Sequence, residues 1–164
     1  MDDSMTASLK ETRFTRFHAA LGTGVMPAGG GKLKAEILAE LQETEDRNQT
    51  VAQVTIKITG TPQQATESAE PAFQVEVVGQ GLYEWPEGER PADLAQKSVN
   101  RQLCLPIYAL TVSEVIQLAQ RMGVNGVKIP WDMPIDKMET ATAKKSRARK
   151  PTAKPATARL KTAA

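Results

Sequence analysis

Aromatic residues, histidine and cysteine are scarce in this 164-residue sequence. It contains three Phe, two Tyr, two Trp, one Cys and one His. A single cysteine cannot form an internal disulfide, which agrees with a reducing compartment. One histidine and one cysteine do not supply a typical zinc site, and no Ser/His/Asp set can be argued. We therefore predict a protein that is not an enzyme and that needs neither a metal nor a cofactor.

Long apolar runs are absent as well. No stretch of 18 consecutive apolar residues occurs, and the opening residues MDDSMTASLKE lack the apolar centre of a signal peptide. We expect a cytoplasmic protein that does not insert into a membrane. The glycines before Lys32 resemble a phosphate-binding loop, but Met26 occupies the first glycine position and Leu33 the Ser/Thr position. Phosphate binding by this loop is therefore not expected.

Positive and negative charges are divided unevenly along the chain. The tail 144–164 carries eight of the 21 Lys and Arg residues and no acid. Residues 1–143 carry the other 13 basic residues and all 19 acids, so their formal charge is −6 against +8 for the tail. We predict a disordered Ala/Pro/Lys tail that either only solubilises the chain or binds a target electrostatically, which would be ribosomal RNA, DNA or the acidic body of the same chain. Its first basic residues are Lys144, Lys145, Arg147, Arg149 and Lys150.

The alternation of apolar and polar residues predicts β-structure in the first half of the chain. Residues 50–59 and 72–78 alternate cleanly, which is typical of an antiparallel sheet with one covered face. Residues 12–21 are predicted as a strand, although Phe14 and Phe17 are too widely spaced to share one face of it. Residues 32–41 alternate like a strand but are rich in the helix-favouring residues Ala, Glu and Leu, so both interpretations stay open.

One amphipathic helix is predicted in the second half, after an acidic crossover loop. Residues 108–122 place apolar side chains on one stripe at helical spacing. Thr111 and Glu114 match a capping box at its start, and Gly123 is a natural stop. A short extended piece over 127–134 follows the helix.

The predicted organisation is one α+β domain with two tails. A flexible N-terminus (1–11) precedes the domain (12–143), and the basic tail (144–164) follows it. A weak helix that Pro134 starts is predicted over 135–150, across the boundary between the domain and the tail. The fold class is an antiparallel four-stranded sheet with helices packed on one face.

The order of these elements resembles the SecB family of export chaperones. That family has a Phe-x-Cys/Val-Glu-Val strand, a glycine pair and an aromatic-apolar segment, matched here by FQVEVVGQGLYEW (73–85). Cys104-Leu-Pro-Ile lies where the family has a Cys-Pro and an apolar run. The resemblance covers about residues 50–134. The chain departs from the family at 110–113, where Leu-Thr-Val-Ser replaces Pro-Tyr-Ala-Arg.

The resemblance implies a dimer of dimers that holds non-native polypeptides in apolar grooves without a nucleotide. Gly79 and Gly81 are expected to let the strand bulge and to re-aim its exit toward such a groove. The alternative is that the two aromatic residues after them cap the core. Leu110 and Leu118 are predicted at a subunit interface of a homotetramer. The predicted groove residues are Leu82, Tyr83, Trp85, Trp131 and Met133.

The function implied by the resemblance is that of an ATP-independent holdase. Its clients would be unfolded or pre-export polypeptides, and the SecA translocase motor would be a partner. Two alternatives remain. One is a nucleic-acid- or ribosome-associated protein that acts through the basic tail, and the other is a dedicated chaperone of a toxin–antitoxin partner.

Overall fold

The computed structural model describes four stretches of the chain that together contain the sheet and the main helix. The N-terminal residues 1–6, the weak helix predicted at 135–150 and the basic tail lie outside the described residues. The described residues are 7–22, 30–46, 48–63 and 70–134.

Four antiparallel strands form one open sheet in the order β1-β4-β3-β2. The two clean sequence patterns became the central strands β3 and β4, and the ambiguous segment became the edge strand β2. The predicted four-stranded antiparallel sheet is therefore confirmed. The strands are β1 (Ser8–Leu21), β2 (Gly31–Glu43), β3 (Gln49–Pro62) and β4 (Phe73–Glu84).

The apolar face of the central strands forms the floor of the core. Directly paired residues of antiparallel strands point to the same face, so Ile56 opposite Val77 and Ile58 opposite Val75 share this face. All four of these side chains are fully buried. We call this the helix face and the other side of the sheet the open face.

The helix α1 (Lys97–Arg121) packs on the helix face, mainly over β3 and β4. It begins well before the predicted start at residue 108, and Thr111 is a buried mid-helix residue rather than a cap. The Thr111 hydroxyl donates to the Ile107 carbonyl over 2.7 Å. Pro106 lies inside the helix on its exposed side, so water can satisfy the carbonyl that loses its N–H partner. By length and composition α1 could also pass as a membrane span, but nine of its side chains are buried in the core.

The segment after α1 turns back and covers one flank of the helix. Gly123 has a φ of +81°, and the Val124 amide donates to the Ala119 carbonyl over 2.9 Å, so the predicted glycine stop is confirmed. Residues 127–134, predicted as an extended piece, form neither a helix nor a strand. The Tyr108 hydroxyl donates to the Pro130 carbonyl over 2.5 Å, which ties this segment to the helix. Three of its apolar side chains enter the core: Val124, Ile129 and Met133.

The two glycines of β4 allow α1 to pack closely on the strand, and they do not form a bulge. Gly79 pairs with Val54 and Gly81 with Ala52 in unbroken register between β3 and β4. A Cβ on Gly79 would lie 2.3 Å from the Thr111 hydroxyl oxygen. The expected re-aiming of β4 by its glycines is therefore wrong. The strand runs straight on to Glu84, and the missing side chains let α1 approach it closely.

The irregularity lies instead in the edge strand β1, which starts four residues before the predicted domain boundary. Its pairing with β4 shifts register between Leu9 and Glu11 and again between Phe14 and Arg16. The second shift inserts one extra residue, so Phe14 and Phe17 share the helix face. Their ring centroids are 5.4 Å apart at an interplanar angle of 51°. The expectation that these two side chains could not share a face is wrong because it assumed a regular strand.

Candidate functional site

On the helix face of the sheet, no described element covers an apolar stripe on β1. Phe17 is 53% exposed and Leu21 is 65% exposed, whereas the central strands beside them are buried. Helix α1 lies over the two middle strands and barely reaches β1. We call this set the β1 stripe. Its members, from the paired register, are Leu9, Phe14, Phe17 and Leu21.

The stripe begins at the core and ends in solvent. Phe14 is half-buried and packs against the core, and its ring lies 3.4 Å from the position of a Cβ on Gly79. Leu9 approaches the corresponding position on Gly81 to 3.1 Å but is still 41% exposed. Scattered exposed apolar side chains are ordinary, but a row of them continuous with the core is an expected feature of a binding surface.

β1 is also an edge strand, so its backbone adds to the site. It pairs with β4 on one side, and within the described residues no strand pairs with its other edge. It is 14 residues long and contains no proline. A long edge with free N–H and C=O groups is a template for an added extended segment. The β1 stripe and this edge together can hold an extended apolar polypeptide.

The open face of the sheet has the opposite character, since its polar groups bond to one another. A hydrogen-bonded row crosses all four strands, with Arg13 donating to Gln80 over 3.1 Å and Gln80 to Gln53 over 2.6 Å. Gln53 then donates to Glu40 over 2.7 Å. Ion pairs join neighbouring positions, as in Arg16 with Glu76 at 2.9 Å. These groups are already satisfied by one another, so the β1 stripe is the stronger candidate for binding.

Three of the five predicted groove residues are in the core. The side chains of Tyr83, Trp85 and Met133 are at most 4% exposed. The Tyr83 hydroxyl donates to the Leu103 carbonyl over 2.7 Å, and Trp85 Nε1 donates to the Thr50 hydroxyl over 2.9 Å. For these two aromatic residues the structure agrees with the alternative, that they cap the core.

The other two groove residues lie apart from each other. Leu82 pairs with Val51 and is half-buried on the open face of the sheet. Trp131 is 61% exposed in the segment that follows α1. The five predicted side chains therefore do not form one surface in the chain, because they are split between the core, the open face and the far flank of α1.

The predicted interface residues have different surroundings. Leu110 is an exposed side chain of α1, and Leu118 is half-buried and packs against the core. Their role between subunits stays a prediction. The sequence patterns identified no residue of the β1 stripe as a binding residue. The signal that could have found it is the odd spacing of its two phenylalanines, which marks the bulge.

Burial shifts the titration of three side chains of the core. It raises the pKa of Tyr83 from 10.0 to about 12 and that of Cys104 from 9.0 to about 12. The pKa of Tyr108 is also raised, first by burial and then by the charge of Asp132. Cys104 is thus a buried, protonated thiol, as predicted for a small core residue. No cluster of His, Cys, Asp or Glu able to hold a metal occurs among the described residues.

These pKa values predict a loss of stability at alkaline pH. The unfolded chain loses the Cys104 and Tyr83 protons from about pH 9 and 10 upward, whereas the folded chain keeps them to about 12. Stability should therefore be complete below pH 9 and decline toward pH 12. Denaturant unfolding at a series of pH values measures this. In Cys104→Ala the decline should begin near pH 10 rather than 9, and an unchanged onset would contradict the assignment.

The fold agrees with a chaperone of known structure. No protein-family model matches the chain, and no curated protein does. Among solved structures, the chain is similar to the Mycobacterium tuberculosis Rv1957 SecB-like chaperone in complex with a ChAD peptide from the Rv1956 HigA1 antitoxin. The TM-score is 0.61 at 15% identity, and the match covers 76% of this chain and 89% of that one. The resemblance found in the sequence is confirmed at the level of the fold: this chain has the SecB-like fold.

Proposed function

We propose that the protein is a chaperone that binds non-native polypeptides without a nucleotide. The observation that carries this proposal is the β1 stripe, an exposed apolar row along a sheet edge with which no described strand pairs. It is supported by a structural neighbour that is described as a SecB-like chaperone in complex with a peptide. The finer proposal is a cytoplasmic holdase whose clients are unfolded or pre-export polypeptides.

The stripe suits polypeptides of many sequences because its contacts are non-specific. Apolar side chains contribute roughly 25 cal/mol for each Å² that a client removes from water, whatever the sequence of that client. The strand edge offers backbone hydrogen bonds, which every polypeptide except at proline can match. Together they favour extended, apolar segments, which unfolded chains expose and folded proteins bury.

Two charged substitutions in the stripe test the proposal. In Phe17→Glu/Leu21→Glu, we expect the amount of protein needed to suppress aggregation of a chemically unfolded test protein to rise at least about fivefold, since buried charges are costly. Both residues are more than half exposed, so the fold should survive, which circular dichroism checks.

The matched control for this experiment is Ala20→Glu. Ala20 belongs to the same strand but pairs with Gln74 on the open face. Its variant adds a charge to β1 without touching the stripe, so suppression should stay as in the parent protein. Equal suppression of aggregation by the parent protein, the double variant and the control, all without ATP, would contradict the proposed site.

A homo-oligomer is part of the proposal, and α1 offers its surface. Leu105 and Leu110 are exposed on the side of the helix that faces away from the sheet. A tetramer of 17.8 kDa chains would have a mass of about 71 kDa by light scattering. Leu110→Lys should lower that mass, and a monomer in the parent protein would overturn the oligomer.

The antitoxin peptide of the structural neighbour favours a second candidate, a dedicated chaperone of one partner. A panel of unrelated unfolded proteins separates the two. A general holdase suppresses aggregation of all of them at similar ratios, whereas a dedicated chaperone protects none efficiently. A role in export further predicts a complex with the SecA motor, which sedimentation of the two purified proteins would detect.

A further inference from the structure

Two rows of polar side chains cross the open face of the sheet, and both run in the same direction. In the hydrogen-bonded row through the two glutamines, each bond is donated from the β1 side toward the β2 side. The row starts at the Arg13 guanidinium and ends at the Glu40 carboxylate. A guanidinium has only donors and a carboxylate only acceptors, so these two ends fix the direction of the whole row. At its β1 end, the row can therefore be extended only by a group that accepts hydrogen bonds.

The second row alternates in charge from strand to strand. Arg16 on β1 forms an ion pair of 2.9 Å with Glu76 on β4. Glu76 lies opposite Lys57 of β3, which lies opposite Glu36 of β2. Lys34, by a hydrogen bond and its charge, and Lys57, by its charge, lower the pKa of the Glu36 carboxyl. This row also has a cation at β1 and a carboxylate at β2, so a further carboxylate beside β1 would continue the alternation.

Strand β1 is cationic, whereas the rest of the described domain is acidic. The strand holds three Lys and Arg residues and one acid, a formal charge of +2. The other described residues hold eight Lys and Arg against 13 Asp and Glu, a charge of −5, and β2 alone carries two Lys and three Glu. Exposed charges are screened beyond about 10 Å at about 0.1 M salt, so a strand added next to β1 is affected mainly by the cations of β1.

The cations of β1 stay accessible although they are bonded within the sheet. The side chain of Arg16 is 66% exposed and that of Lys10 is 51% exposed in their ion pairs. A guanidinium has several N–H donors, and the bonds to the sheet use Nε of Arg13 and one Nη of Arg16. Each of these two arginines can therefore bind a second acceptor while it keeps the first.

One stretch of β1 is regular enough to pair with an added strand. From Arg16 to Leu21 the register with β4 is unbroken. Phe17 and Leu21 belong to the helix face there, whereas Arg16 and His18 belong to the open face. A strand added at this edge lies about 4.8 Å away and also alternates its side chains between the two faces. Every second residue of the added strand is therefore on the side of the β1 stripe, and the residues between them are on the side of Arg16.

We propose that the β1 edge selects client segments in which apolar and acidic residues alternate. This selection depends on the proposed function, because the apolar residues of such a segment pack on the β1 stripe. Its carboxylates bind Arg13 and Arg16 on the open face and extend both rows by one member. Opposite charges on neighbouring strands stabilise their pairing and like charges destabilise it, so a segment that alternates apolar and basic residues is disfavoured.

A second copy of the chain fits this edge less well than such a client. Pairing β1 with β1 brings together two strands that each carry a charge of +2. The β2 strand of another copy has the required alternation around Glu36 and Glu40, but contacts between β1 and β2 do not close and would build an open polymer. A client segment extends the rows without like-charge repulsion and without polymerisation.

Fluorescence anisotropy with three labelled peptides of about ten residues, the upper length of an ordinary strand, tests the proposal on the full-length protein. The peptides alternate valine with glutamate, glutamine or lysine. We expect the glutamate peptide to bind about threefold to tenfold more tightly than the glutamine peptide, and the lysine peptide to bind more weakly than both. The preference should shrink between about 50 and 500 mM salt, because exposed ion pairs are screened.

Substitution of the two arginines identifies the source of the preference. In Arg13→Gln/Arg16→Gln, the affinities for the glutamate and lysine peptides should agree within about twofold. The glutamine peptide should bind as it does to the parent protein, which shows that the edge and the stripe are intact. Arg13→Lys/Arg16→Lys keeps both charges and should keep the preference. The matched control is Lys34→Gln, which removes a 76% exposed, ion-paired cation from the other edge strand and should also keep it.

Equal affinity of the parent protein for the glutamate and lysine peptides, or a preference that survives in Arg13→Gln/Arg16→Gln, would overturn the charge selection. The chaperone proposal has a separate readout in the uncharged glutamine peptide, which should bind at least about fivefold more weakly to Phe17→Glu/Leu21→Glu. That loss, together with equal affinities in the parent protein, would remove the charge selection and keep the β1 stripe. A parent protein that binds none of the three peptides would overturn both proposals. A lower mass of Phe17→Glu/Leu21→Glu by light scattering would then identify a second copy as the occupant of the edge.

Discussion

Replacing both Tyr83 and Trp85 by serine should abolish the cooperative unfolding transition of this protein. Both side chains are at most 4% exposed, and each makes a buried hydrogen bond. Truncating one large buried aromatic residue typically costs about 3–5 kcal/mol. Two such losses are comparable to the roughly 5–15 kcal/mol that stabilises a whole domain. Circular dichroism during urea titration would show a broad or absent transition.

The exposed tryptophan provides the control for this experiment. Trp131→Ser removes a side chain of the same size from a position that is 61% exposed, and it should shift the urea midpoint only slightly. A folded Tyr83→Ser/Trp85→Ser protein that has lost only client binding would restore the groove interpretation. The urea midpoint of the single variant Trp85→Phe should lie between those of the parent protein and the double variant. This variant keeps most of the apolar volume but leaves the Thr50 hydroxyl without its donor.

The sequence was sufficient to predict the central strands. It was not sufficient to predict whether these two aromatic side chains are buried in the core or exposed. Strands β3 and β4 were predictable because each has one apolar face, and strict alternation of apolar and polar residues does not fit the period of a helix. Whether Tyr83 enters the core depends on the Leu103 carbonyl, 20 residues away, and Trp85 depends on Thr50, 35 residues away. No local pattern contains that information.

The start of α1 was missed for a similar reason. Pro106 and the absence of a side-chain cap at Gln96 both argue against a helix over the eleven residues before Tyr108. Burial of Val99, Leu103 and Cys104 against the sheet outweighs these local preferences. Tertiary packing, rather than propensity, sets where this helix begins.

The β1 stripe shows how one irregular residue can hide a candidate site. A regular strand would place Phe14 and Phe17 on opposite faces, which suggests no shared surface. The register shift between Phe14 and Arg16 aligns both rings with the helix face. Bulges often re-aim side chains at functional sites, so an apolar pair at a spacing of three in a strand is worth testing as a bulge.

Gly79→Ala should destabilise the protein by about 2–3 kcal/mol, although alanine is ordinarily the better residue inside a strand by about 0.5–1 kcal/mol. The sign reverses here because the added Cβ would lie 2.3 Å from the Thr111 hydroxyl oxygen. Thr111 is fully buried and its hydroxyl is bonded to the Ile107 carbonyl, so it has little freedom to move aside. Helix α1 would have to lift from β4, and thermal unfolding would report the loss.

A double-mutant cycle with Thr111→Ala identifies the cause. Removing the hydroxyl should cost about 1 kcal/mol alone, as a buried hydrogen bond is lost. In the double variant, removal of the hydroxyl should also relieve the clash with the added Cβ. The stability lost in the double variant should therefore be at least about 1 kcal/mol smaller than the sum of the losses in the two single variants. Gly81→Ala should not couple to Thr111→Ala in this way, because its added Cβ would meet Ile107 at 2.3 and 2.9 Å and Leu9 at 3.1 Å rather than the Thr111 hydroxyl. Additive effects in the cycle, or a stabilising Gly79→Ala, would mean that α1 does not rest on this glycine and that residues elsewhere set the distance between helix and sheet beside the β1 stripe.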